Sequence, residues 1–369
     1  MSRVQRVLDH IRELNLDGLF LVQNERVSKK NVRYLSGFTG STAYLVITPE
    51  KRVLTTDGRY TVQAAEQCEP YGFEIVPHVR PFTNALKKIV ADLRIKRLGY
   101  ETEAIMVSMF NSVKEALPDV ELLPTTNIVE NLRAHKDDDE VDILTQAAEM
   151  TDKLFEHVLG YIQPGVTEKD LALEFEYYAR KIGASSLSFD LIVASGARGA
   201  MQHGSPTAKT IENGDFIVMD FGLVHQGYLT DMTRTVLVGK ATEEQRKVYN
   251  TVKRAQVEAC ELIRPGLPGR DAAKRAYDIM VDAGYKDYCS QNLGHGVGLE
   301  IHEEPFLTLQ GDLILQPGHL VTVEPGIYIP GWGGVRIEDM VLVQGEGPGG
   351  EKDAAPRILT HSTKELIEI

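Results

Sequence analysis

Apolar residues in the first third of the chain switch repeatedly between helical spacing and short extended runs. VQRVLDHIREL (4–14) predicts a helix, and GLFLVQ (18–23), TAYLVIT (42–48) and KRVLTTD (51–57) predict strands. TVQAAEQ (61–67) and FTNALKKIVADL (82–93) return to helical spacing, followed by the strand RLGYE (97–101), a helix around MVSMFNSVKEAL (106–117) and the strand VELLPT (120–125). Alternation of this kind predicts α/β layering for residues 1–128. The Gly/Ser-rich stretch RYLSGFTGST (33–42) reads as a loop. Residues 129–137 read as a linker entering a helix whose first turn is acidic (Asp137, Asp138, Asp139, Glu140), which suits the positive end of its dipole. Leu144, Ala148, Thr151, Phe155 and Val158 continue it as a buried stripe, opening a second domain over 138–369.

That second domain repeats itself. Ile162-Gln163-Pro164-Gly165 precedes Asp170 as Ile263-Arg264-Pro265-Gly266 precedes Asp271, and GDFIVMDFG (214–222) matches GHLVTVEPG (318–326) in its glycines and its acid. Two correspondences in order at nearly one offset predict duplicated halves. Such halves, related by a pseudo-twofold axis, would bring Asp220 and Glu324 to equivalent places across a shared cleft.

The apolar runs around these acids make the acids conspicuous, because charge in a buried strand is costly unless something binds it. Asp220 interrupts FIVMDFG, and Asp231 opens the returning strand, in which Asp231, Thr233 and Thr235 share a face. Glu324 ends LVTVE. In VRIEDMVLV, read as one strand, Arg336, Glu338 and Met340 share a face. Taken singly, Asp220 could be a turn residue and Glu338 the partner of Arg336 in a salt bridge. Three of the ten histidines have informative settings: His295 among glycines in LGHGVG, His302 in EIHEEP, and His203 in QHGSP. His10, His78, His135, His157, His225, His319 and His361 stand without acidic company. Four carboxylates and an imidazole suit a pair of divalent cations, Mn²⁺ by the hardness of the oxygens, or Co²⁺ or Zn²⁺.

Composition narrows the setting. A chain of 369 residues, 43% apolar, suggests two domains, and its net charge of −13 argues against nucleic acid as partner. There is no run long enough for a membrane span and no signal-peptide pattern, and three scattered cysteines suit a reducing cytoplasm.

The motifs MDFG, TDMTRT, GHGVGLEIHEEP, VEPG and RIEDM, together with NVRYLSGFTGS, resemble those of the pita-bread metallopeptidases: aminopeptidase P, prolidase and, more distantly, methionine aminopeptidase. The resemblance implies a C-terminal pita-bread fold behind a creatinase-like N-terminal α/β domain, and a homodimer. It implies metal ligation by Asp220, Asp231, His295, Glu324 and Glu338, with Asp231 and Glu338 bridging two metals and Glu324 acting as general base. His203 and His302 would bind substrate, and Arg336 would support the ligands. The implied reaction is hydrolysis of the bond before proline in a peptide or dipeptide. Phe306 stands where archaeal-type prolidases carry an arginine that grips a dipeptide carboxylate, which leans the expectation toward aminopeptidase P-like action on longer peptides, with strict Xaa-Pro dipeptidase as the alternative. A non-catalytic binding protein on the same fold is a reading of another class.

Overall fold

The computed structural model describes residues 2–26, 30–345 and 355–369. They fall into two compact units, Met1–Arg133 and Ala134–Ile369.

The first unit is one six-stranded sheet with helices. Its strands are β1 (Gly18–Gln23), β2 (Ala43–Ile47), β3 (Arg52–Asp57), β4 (Glu74–His78), β5 (Arg97–Glu101) and β6 (Glu121–Thr125), in the order β4-β3-β2-β1-β5-β6. The helices are α1 (Arg3–Glu13), α2 (Asn31–Ser36), α3 (Thr61–Cys68), α4 (Thr83–Asp92), α5 (Val107–Ala116) and α6 (Ile128–Ala134). β1 and β2 are buried along their whole length, as expected for strands covered on both faces. The edge strands β4 and β6 each carry a proline, Pro77 and Pro124, where a missing N–H costs no ladder bond.

Two local expectations change. The stretch read as a loop from Arg33 begins inside α2, which buries Val32, Tyr34 and Leu35 and stops at Gly37 in the left-handed region (φ 74°). The segment read as linker from 129 begins as helix, because α6 buries Val129 and Leu132.

The second unit carries α7 (Asp138–Leu159), α8 (Glu168–Lys181), α9 (Glu243–Leu262) and α10 (Gly269–Asp282). Its first half holds β7 (Ser186–Leu187), β8 (Ile192–Ser195), β9 (Phe216–Phe221), β10 (Leu223–His225), β11 (Tyr228–Leu229) and β12 (Met232–Leu237). Its second half holds β13 (Asn292–Gly296), β14 (Glu303–Thr308), β15 (Leu320–Val323), β16 (Gly326–Ile329), β17 (Gly333–Arg336), β18 (Asp339–Leu342) and β19 (Arg357–Ile358). The duplication is explicit in the pairing. β12-β9-β8 answers β18-β15-β13, and the hairpin β10–β11 answers β16–β17. The Pro-Gly turns match as well: Gly165 (φ 98°) donates to the Ile211 carbonyl at 3.0 Å, and Gly266 (φ 83°) donates to that of Leu315 at 2.8 Å.

The run VRIEDMVLV is not one strand. It breaks at Ile337-Glu338, where the chain leaves the β16–β17 hairpin for the five-stranded sheet. Thr230-Asp231 is the same break in the first half, between β11 and β12. Asp231 and Glu338 therefore occupy equivalent interruptions, and Asp220 and Glu324 lie at the ends of the preceding strands.

Candidate metal centre

At these strand ends the acids converge. One carboxylate oxygen each from Asp220, Asp231 and Glu338 lies within 4.8 Å of the others. His295 Nε2 lies 3.2 Å from Glu324 Oε1 and 3.6 Å from Asp231 Oδ2, which ties the remaining two predicted residues to the cluster. All five are at one place.

Threonines and one arginine hold the acids there. Thr233 Oγ1 donates to Glu338 Oε2 at 2.6 Å, and the Glu338 N–H donates to the Thr233 carbonyl at 3.1 Å. The Arg336 guanidinium donates to Asp220 Oδ2 (2.5 Å), Thr233 Oγ1 (3.0 Å), Tyr328 OH (2.8 Å) and the Gln202 carbonyl (3.1 Å). Its planar fork satisfies four acceptors from three strands and a loop. Thr322 Oγ1 accepts from the His295 N–H at 3.0 Å and donates to Glu324 Oε1 at 3.1 Å. Gly294 serves close strand approach here: a Cβ on it would meet the Thr322 carbonyl oxygen at 2.0 Å. The small neighbours of His295 do not expose it, since the residue is only 8% accessible.

The cluster is short of partners. Asp220 Oδ1 and Glu338 Oε1 are buried and accept no hydrogen bond from an N–H or hydroxyl of any described residue. Buried carboxylate oxygens are rarely left so. Burial pushes the Asp231 carboxyl well above its usual range, and the Glu338, Asp220 and Glu324 charges push the same way. Glu338 is likewise raised well above its usual range by burial, with Glu324 and Asp220 adding to it. Asp220 also rises, because burial outweighs the opposing Arg336 charge. For Glu324 burial acts upward too, but the hydrogen bond and charge of His295 prevail and lower it. Burial works against the His295 imidazolium, yet its Glu324 partner raises it overall. A site with three acids this hard to ionise, oxygen-rich with one nitrogen and two unsatisfied oxygens, fits divalent cations.

Residues 142–345 match metallopeptidase family M24, and residues 3–135 match the creatinase/prolidase N-terminal domain. The chain belongs to the M24 metallopeptidases. This M24 chain is similar to an Xaa-Pro dipeptidase structure from Bacillus anthracis (42% identity, TM-score 0.92, covering 100% of this chain and 99% of that one). It is also similar to an X-Pro aminopeptidase structure from Thermotoga maritima (35% identity, TM-score 0.91, 100% of both chains). An Xaa-Pro dipeptidase of Pyrococcus furiosus is 34% identical over 368 residues, 99% of each chain. The pita-bread second unit and the creatinase-like first unit are those of this family.

The M24 cluster opens into a cleft of about 490 Å³. His203 and His302 line it together with Phe306. The His302 ring centroid is 4.3 Å from that of His295. Burial, then the nearby His295 and His203, lowers its pKa and keeps it neutral. The remaining histidines stay outside the cleft. Two of them have acidic company after all: His157 lies 2.5 Å from Glu174, seventeen residues on, and His10 lies 3.3 Å from Glu13, one turn on along α1. Sequence reasoning assigned no role to Thr233, Thr322 or Tyr328. The period of two already put Thr233 on the face of Asp231, and the same spacing from Glu324 marks Thr322.

Proposed function

We propose that this metallopeptidase is an Xaa-Pro dipeptidase, releasing proline from dipeptides. The observation that carries its metal chemistry is the buried cluster of Asp220, Asp231 and Glu338, in which Asp220 Oδ1 and Glu338 Oε1 have no hydrogen-bond partner among the described residues. Divalent cations bound there would supply a water nucleophile at neutral pH and polarise the scissile carbonyl. Mn²⁺ suits the oxygen-rich set, and Asp220, Asp231, His295, Glu324 and Glu338 would hold it.

The chain's own groups take the remaining tasks. Glu324, held ionised by His295 and Thr322, receives the proton of the attacking water. His302, neutral and facing the cleft, and His203 on its loop offer hydrogen bonds to the peptide carbonyl as it gains charge. Phe189, Ile192, Ile301 and Phe306 give the cleft an apolar wall suited to a pyrrolidine ring. Relatives named Xaa-Pro dipeptidase, one 42% identical across the whole chain, favour the dipeptide over the longer substrates to which Phe306 leaned the expectation. The test is proline release from Xaa-Pro dipeptides by EDTA-stripped protein before and after Mn²⁺ is restored. No release from a folded, metal-loaded sample overturns the proposal.

A further inference from the structure

Behind the cleft, Glu168 opens α8 with a carboxylate that is fully buried, 0% accessible. It lies on neither the metal cluster nor the cleft wall. Its Oε1 accepts from the Ser195 N–H (2.8 Å) and hydroxyl (3.0 Å), and its Oε2 accepts from the Thr207 N–H (2.9 Å) and hydroxyl (2.7 Å). All four favourable acceptor positions of one carboxylate are thus filled. Arg198 Nε adds its charge 3.4 Å from Oε2. Ser195 and Thr207 are the two ends of the loop that leaves β8, presents Gln202 and His203, and returns. One side chain therefore closes both ends of the loop.

The duplication supplies an internal control. Glu168 and Gly269 occupy equivalent positions, one hundred and one residues apart like Gly165 and Gly266. Both make the same backbone bond, Glu168 N–H to the Lys209 carbonyl and Gly269 N–H to that of Leu313. The second half builds this turn and starts its helix with no side chain at the matching position. The carboxylate is thus not required by the repeated scaffold, and it occurs only in the half whose loop carries His203.

We propose that Glu168 is a positioning residue that fixes the loop presenting His203 to the substrate. The inference rests on the reading of His203 as a substrate-binding group. The metal ligands lie on or beside β9, β12, β13, β15 and β18, and the loop meets their support at the Gln202 carbonyl; Arg336 keeps Asp220, Thr233 and Tyr328 as further acceptors, so Glu168 acts on the reaction and not on metal affinity.

The experiment is a double-mutant cycle on the metal-loaded full chain, with Glu168→Gln, His203→Ala and the pair, read as kcat/KM for Ala-Pro. The glutamine keeps the shape and one acceptor, so one end of the loop is released without a cavity. Glu168→Gln should lower kcat/KM roughly tenfold to hundredfold, the range for a small misplacement of a reacting group. In the His203→Ala background the same change should cost less than about twofold, because both substitutions act through one group. Mn²⁺ affinity by calorimetry should stay unchanged. Thr207→Val, which removes one hydroxyl donor, should give a smaller loss that also vanishes in the His203→Ala background. A neutral or additive Glu168→Gln, or a parallel loss of Mn²⁺ affinity, overturns the role of Glu168 alone. If His203→Ala itself leaves kcat/KM unchanged, the reading of His203 falls and the proposal falls with it.

Discussion

Stripping the metal should make the stability of the second unit fall as pH rises, and the structure sets the sign. Asp231 and Glu338 have pKa values pushed well above their ordinary 3.8 and 4.5, first by burial and then by neighbouring acids. In the metal-free folded state they hold protons that the unfolded chain has released. A group whose folded pKa is raised contributes stability that is present below the unfolded value and lost as pH climbs through the folded one. His295, raised above 6.5, contributes in the same direction. Glu324 and Asp339, both lowered, act only on the acid side of their ordinary values, and His302 and His319, lowered from 6.5 by burial, oppose the trend only up to about that pH. Each extra proton held on folding gives a slope of about 1.4 kcal/mol per pH unit. One such group therefore costs about 1.4 kcal/mol for each pH unit between its ordinary value and its raised one, a large share of a domain's stability. The single tryptophan, Trp332, packs edge-on to Phe216 in the core of this unit, so its fluorescence in urea reports the relevant transition. Above pH 7, beyond the range of the two neutral histidines, EDTA-treated protein should lose stability as pH rises, and Mn²⁺ at a hundredfold excess over its Kd should restore about 2.7 kcal/mol. Stability that is flat or rising above pH 7 in metal-free protein would refute the electrostatic account of the cluster.

Three substitutions extend the test. Asp231→Asn removes the most crowded charge, so metal-free protein at pH 8 should become more stable, Mn²⁺ should no longer stabilise it, and proline release should fall at least about a hundredfold; unfolding curves with and without Mn²⁺ check this. Arg336→Lys keeps the charge but loses the planar fork, leaving at least one of Asp220, Thr233, Tyr328 and the Gln202 carbonyl unpaired, and calorimetry should show Mn²⁺ binding weakened about 10- to 100-fold. Lys136→Met breaks a pair with Glu303 at 2.6 Å in which both side chains are nearly inaccessible, and should cost about 3–5 kcal/mol by the Trp332 signal, most of it recovered when Glu303→Leu is added.

Much of this was legible in the sequence because the strands that carry the acids are strongly patterned. The placement of Asp220 and Glu324 after apolar runs, and the recurrence of Pro-Gly and Gly-acid-Gly at nearly one offset, mark the two halves in the sequence itself. What the pattern hid was tertiary. VRIEDMVLV looks like an unbroken strand because Ile337 and Glu338 keep the alternation, while the chain passes there from one sheet to another. The period-two face of Asp231, Thr233 and Thr235 was visible, but its function was not. Thr233 and Thr235 meet Glu338 and Arg336 across more than one hundred residues. Glu168 was invisible for the same reason, since its partners Ser195 and Thr207 lie far along the chain. In the first unit, α2 and α6 were missed because short helices carry too few turns for a period to show.

The central claim is a metal-dependent cut before proline in a dipeptide, and comparing kcat/KM for Ala-Pro, Ala-Pro-Ala and Ala-Ala tests it most directly. The Mn²⁺-loaded protein should favour Ala-Pro over both others and lose that activity after EDTA treatment. Preference for the tripeptide, equal cleavage of Ala-Ala, or undiminished hydrolysis without metal would contradict it.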